Sequence, residues 1–267
     1  MDKAYASSFR AAALRLAAVV LIFIPILGFA AINLSENEAK RIGHKIWENE
    51  CNGTVSGLTS WNAGEEFASL GIGHFIWYPE GMRGPFEESF PKLARFLKEN
   101  GRQLPPFTLG SCPWRSRAQF MAAQQSAEMR QLRDLLAGTV NLQTQFLVNR
   151  LDQALPKLLA EAATAEREKV RQNFERLTRS AAGCYALIDY VNFKGEGTLA
   201  TERYQGKGWG LLQVLQRMAE SSGDATRQFS EAASVVLRER VHNAPPGRHE
   251  ERWLSGWIRR VNSYSRP

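Results

Sequence analysis

The sequence predicts an α+β protein in which helix dominates. Three observations carry that expectation. A capped amphipathic helix opens at Ser35, two short β-type runs follow it, and from residue 87 onward apolar residues recur mostly at helical spacing.

Ser35 followed three residues later by Glu38 is a capping box, in which each side chain satisfies the other residue's free amide. Ala39, Ile42, Ile46 and Trp47 then fall on one face. Cys51-Asn52-Gly53 is turn chemistry, so this helix should run out near Glu50. The runs Val55 to Trp61 and Phe67 to Ile76 read as strands, joined by a hairpin-sized turn over 62–66 that contains Gly64. Period two puts Glu65, Phe67 and Ser69 on one face. Gly71 and Gly73, spaced by one residue, let the backbone approach a ligand or a helix closely. After a loop over 79–85, a helix is expected over 87–99 with Gly101 as its stop, then a Pro-rich connection over 103–114. The stretch 115–179 reads as helix with breaks near Gly138 and Pro156, its part 161–179 presenting a charged, solvated face. An apolar helix over 181–192, a Gly-rich loop, and helices near 209–222, 224–240 and 250–265 complete the chain.

Composition is that of an ordinary globular protein: 267 residues, 44% hydrophobic and 23% charged. A formal charge of +7 and a pI near 9.5 suit an anionic partner, whether nucleic acid, an acidic membrane surface or an acidic cell-wall polymer. The N-terminus narrows this choice. Lys3, Arg10 and Arg15 precede an apolar run, Leu16 to Ala31, which ends in the small residues Gly28, Ala30 and Ala31. That is the layout of a secretory signal, with cleavage best placed after Ala30. The alternative is an uncleaved membrane anchor, but the run is short for a span of about 20 residues and contains Pro25. Removing residues 1–30 takes away three basic residues and one acidic one and leaves a charge of +5. The expectation is export to the periplasm or cell envelope, with no nucleic-acid partner and no stable membrane insertion after cleavage.

Three cysteines, Cys51, Cys112 and Cys184, are too few for a disulfide framework, though one bridge and one buried thiol fit an oxidising compartment. No zinc-type spacing or phosphate-binding loop is present, and His44, His74, His242 and His249 are scattered, so no metal or cofactor is expected. Trp61, Trp77 and Trp209 are expected to be buried, and Arg259-Arg260 to be a solvated helix face. Glu50 stands out. A carboxyl at a helix C-terminus beside Trp47 meets the negative end of the dipole and an apolar wall, both of which suit a proton donor.

The motifs resemble those of the lysozyme-like superfamily. Ser69-Leu-Gly-Ile-Gly-His74, preceded by a hairpin and a helix ending in Glu, is similar to phage-type lysozymes. Ala186-Leu-Ile-Asp-Tyr-Val-Asn-Phe-Lys-Gly-Glu-Gly197 resembles the family's helix that ends in Asn and a glycine-bounded turn. Trp253-Leu-Ser-Gly-Trp-Ile-Arg-Arg260 resembles its closing Gly-Leu-x-Arg-Arg helix. Glu50-Cys-Asn-Gly53 and Gly210-Leu-Leu-Gln-Val214 are similar to segments of lytic transglycosylases and goose-type lysozymes. The resemblance covers roughly 36–80 and 183–262, and the stretch 81–182 matches none of these motifs.

This resemblance implies residues 31–267 as one domain after a signal peptide at 1–30, folded as two lobes around a cleft: a small β-hairpin lobe and a helical lobe. It implies cleavage of the glycan strands of bacterial peptidoglycan by a muramidase or lytic transglycosylase, with Glu50 as general acid. Ser69 stands where the family has Thr, and Asn62 or Ala63 where it has Asp, leaving Glu65 as the nearest acid on the face of Ser69. Glu50, Glu65 and Ser69 are therefore the catalytic candidates. Asn62, Asn192, Tyr204 and Gln213 are the substrate-binding candidates, while His74 is expected to be structural. Two rivals remain. A chitosanase-like hydrolase takes a cationic polymer, against which the positive charge argues. A wall-binding protein that keeps the fold without catalysis is the other.

Overall fold

A computed structural model describes residues 32, 34–84, 86–219 and 222–265. The expected signal segment and its cleavage site after Ala30 lie outside them.

Helix α1 (Glu36–Cys51) starts as the sequence predicts. Ser35 Oγ accepts from Glu38 N, Glu38 Oε2 accepts from Ser35 N at 2.9 Å, and Asn52 closes the helix in the left-handed conformation with its N–H on Trp47 O. The two expected strands resolve differently. Residues Ser56–Leu58 form a 3-10 turn, and three short strands follow: β1 (Thr59–Ser60), β2 (Ala68–Leu70) and β3 (Phe75–Trp77). They make one antiparallel sheet in the order β1-β2-β3, with Ser60 opposite Ser69 and Ser69 opposite Ile76. The second expected run is thus two strands folded back on each other. The reason is the glycine pair: Gly71 has a φ of +65°, and a Cβ at Gly73 would meet Leu147 at 3.1 Å. The turn at 71–74 therefore lies tight against a helix.

That helix is α5 (Val140–Glu161), and Gln143 is its anchor. Buried Gln143 accepts from Ile72 N through Oε1 and donates through Nε2 to Leu136 O and Thr139 Oγ1. Before α5 come α2 (Phe90–Glu99), entered through Pro91 at its first turn, α3 (Arg117–Ala122) and α4 (Ala127–Ala137). The break at Gly138 is present. The break expected at Pro156 is not: α5 runs through it. An interior proline costs about 3 kcal/mol, and burial of Leu151, Ala154, Leu155 and Leu158 around it offsets that cost. Helix α1 crosses α5 at Gly43, where a Cβ would collide with Thr144 and touch Val140 at 3.0 Å.

Helix α6 (Arg167–Thr178) buries Val170, Asn173, Phe174 and Leu177 and turns most of its charges outward. Helix α7 (Ala181–Lys194) is buried on nearly every side. A small hairpin, β4 (Arg203–Tyr204) with β5 (Lys207–Gly208), interrupts what reads as a plain Gly-rich loop. Then come α8 (Leu211–Arg217), α9 (Ala225–Asn243) and α10 (Glu251–Asn262). Helix α5 packs on α1, α2, α6 and α7, and α9 packs on α7, α8 and α10, so Ile32 onward is one compact, mostly helical unit. The stretch without a resemblance, 81–182, supplies its central brace. The three cysteines are buried free thiols, each pushed up to about 12, chiefly by burial. A bridge is not formed.

Candidate functional site

Glu50 sits in the last turn of α1 with its side chain 13% exposed. Three parts of the chain meet there. His74, at the end of the glycine turn and in the left-handed region with a φ of +47°, donates from Nε2 to the Glu50 carbonyl at 3.1 Å. Its Nδ1 lies 3.7 Å from Glu50 Oε2, beyond hydrogen-bond reach. Arg260, from α10, donates through Nη2 to Glu50 Oε1. The same guanidinium makes a two-pronged contact with Asp189 of α7, at 2.8 Å from Nε and 2.9 Å from Nη2.

Asp189 is fully buried and also accepts from Tyr264 Oη at 2.6 Å. Burial alone would pull Arg260 down. Its hydrogen bonds to Asp189, then the charges of Asp189 and Glu50, outweigh that and hold it above its ordinary value. Tyr264 is pushed well up, first by burial and then by Asp189. Tyr185 Oη accepts from Asn49 at 2.5 Å beside Glu50, and burial raises this phenol too. Phe193 places its ring 4.4 Å from the Arg260 guanidinium carbon. The arrangement is one mostly buried carboxyl group held by a cation that a fully buried acid holds in turn.

Arg260 corrects the expectation of a solvated arginine pair: Arg259 is exposed, whereas Arg260 is inside. A signal for it existed in Asp189, the one acid inside an apolar helix, which needs a buried partner.

Among the described residues, no hydrogen bond or ion pair joins the other candidates to Glu50. Glu65 and Asn62 share the turn between β1 and β2, where Asn62 Nδ2 donates to Glu65 Oε2 at 3.1 Å. Strand β2 begins at Ala68, so the alternation expected from Glu65 to Ser69 starts only there. Ser69 is buried on the central strand, its carbonyl accepting from Ser60 Oγ. Tyr204 is committed elsewhere, donating from Oη to Glu250 at 2.9 Å. Gln213 uses its amide on Gly210 N and Gly197 O. It lines a cavity of about 460 Å³ with Arg203, Lys207 and Arg217, which Glu50 does not line. Asn192 faces a small hollow against α5, and its buried Nδ2 has no partner among the described residues. Trp61, Trp77 and Trp209 are buried, as expected.

The chain matches no family model, no curated protein and no solved structure. The chemistry of the Glu50 cluster is therefore the basis for a functional reading.

Proposed function

We propose that this chain is an exported lysozyme-like enzyme, two lobes around a cleft, that cuts the glycan strands of bacterial peptidoglycan with Glu50 as proton donor. One observation carries the reading. A mostly buried carboxyl at the end of α1 is fixed between the histidine of a glycine turn and an arginine that Asp189 holds in place. Glu50 gives its proton to the glycosidic oxygen as the bond from that oxygen to C1 breaks. Arg260 orients the carboxyl group, and His74 holds the Glu50 main chain.

The single-carboxylate form of the reaction is favoured. Glu65 is bound to Asn62 in the turn, and the segments around Glu50 and Gln213 are similar to lytic transglycosylases. In that reaction the Glu50 carboxylate takes the proton from the sugar's own 6-hydroxyl. That oxygen bonds to C1, closing an anhydro ring and returning Glu50 to its acid form. Zymography on peptidoglycan, with and without Glu50→Gln, tests the reading: a clearing zone that survives the substitution refutes it. The Arg260 contact on Glu50 favours one second reading, wall binding without cleavage. It predicts retention on peptidoglycan and no clearing zone with either protein.

A further inference from the structure

Helix α10 has a strongly apolar face, yet Val261 alone among its residues is buried. Trp253, Trp257 and Arg260 stand at positions i, i+4 and i+7, on one side of the helix. Trp61, Trp77, Trp114 and Trp209 are buried, whereas Trp253 is 43% exposed. Its ring lies nearly parallel to that of Trp257, with 6.2 Å between centres and 28° between planes. Trp257 in turn meets Phe193 edge-on at 6.2 Å. Phe193 lies against Arg260, which holds Glu50. A row of aromatic groups thus leads from the open surface to the candidate acid, over about 10 Å of helix axis.

The inner part of this row is fixed. Lys194 Nζ sits 3.2 Å from the Trp257 ring centre and the Arg240 guanidinium 5.1 Å from it. The outer part carries charge: Arg252 lies 4.2 Å over the Trp253 ring, and Arg259 is exposed. A pyranose fits such a surface. Its C–H face stacks on an aromatic ring, while its hydroxyl and carboxylate groups reach donors at the rim. A lipid surface fits less well, because a membrane-binding helix needs its apolar side chains free to sink, and Trp257 is pinned.

We propose that Trp253, backed by Trp257 and carrying the exposed Arg252 over its ring as the partner for an acidic group, is a carbohydrate subsite that holds an anionic glycan strand on its way to Glu50. This rests on the peptidoglycan reading above. The test is co-sedimentation with purified peptidoglycan sacculi in a Glu50→Gln background, so that the polymer is not consumed. Trp253→Ala should weaken binding about tenfold, equivalent to about 1.4 kcal/mol, with an unchanged circular dichroism spectrum. Trp253→Phe, which keeps a flat ring, should restore most of the affinity. Equal binding by Trp253→Ala and its parent overturns the proposal, and so does failure of the parent to bind sacculi. A loss confined to phosphatidylglycerol vesicles, with binding to sacculi intact, overturns it in favour of a membrane contact. Trp253-dependent binding in that background, together with no cleavage by the protein that retains Glu50, upholds the subsite and removes the enzymatic reading.

Discussion

Glu50 and Arg260 stand 210 positions apart in the chain and are in direct contact. The contact ties the end of α1 to α10 and gives the carboxyl one orientation. If that carboxyl is the proton donor, Glu50→Gln should fold normally and lose activity by about 10²–10⁴, the usual worth of general acid catalysis. Glu48→Gln, at an exposed position two residues earlier on α1, should stay near the parent. Rates on soluble peptidoglycan fragments decide this, and equal losses in both variants would point away from a specific role for Glu50.

Asp189 is the buried end of the same chain of contacts. Asp189→Leu strips Arg260 and Tyr264 of their shared partner and leaves a mostly buried cation with Glu50 as its remaining acid. The expected loss is about 3–5 kcal/mol. Breaking the exposed Arg171–Glu168 pair should cost under about 1 kcal/mol. Urea unfolding midpoints of the two variants provide the comparison. A mild Asp189→Leu would mean that Arg260 finds water or Glu50 sufficient.

Lys194 supplies a pH dependence. Burial, then the neighbouring Arg240, lowers its amine from 10.5 to about 6, against a smaller opposing effect from Glu250. Between those two values the unfolded chain keeps the proton and the folded chain does not. Stability should therefore rise with pH across that window, by at most about 1.4 kcal/mol per unit. Below about pH 6 both states carry the proton and the contribution is flat. Lys194→Met should raise stability at neutral pH and remove the slope. Denaturation curves from pH 6.5 to 9 are the check. An unchanged slope in the variant would assign it to other groups.

Glu65 separates two chemistries. In the single-carboxylate reaction Glu65→Gln lowers activity modestly, and mass spectrometry of the digest finds anhydro ends, one water lighter than hydrolysed ends. Hydrolysed ends together with complete loss in Glu65→Gln would establish a second carboxylate and an inverting or retaining hydrolase.

What could be read from the sequence was local. The Ser35 cap, the end of α1 at Cys51 and the close approach at Gly71 and Gly73 depend on residues within a turn of one another. The strand limits were not legible, because sheet pairing at 59–77 is decided by how the glycine turn seats on Gln143, far along the chain. Pro156 misled for a related reason, since a local rule yielded to burial of its neighbours. At the site, Glu50 was visible from its place at a helix end. Its partner Arg260 was not, because nothing near Arg260 says that α10 folds back onto α1 and α7.

Gly43 makes α1 a lever. Glu50 lies seven positions beyond this crossing point, so the carboxyl rides about 10 Å from its fulcrum, and a tilt of about 6° swings it by about 1 Å. A displacement of that size at a reacting group is enough to cost about 10² in rate. If Glu50 is the proton donor, Gly43→Ala, which pushes a methyl group into Thr144, should therefore slow cleavage of peptidoglycan fragments while substituting no residue in contact with Glu50. The placing of Glu50 is set in the middle of the helix, by the absence of a side chain.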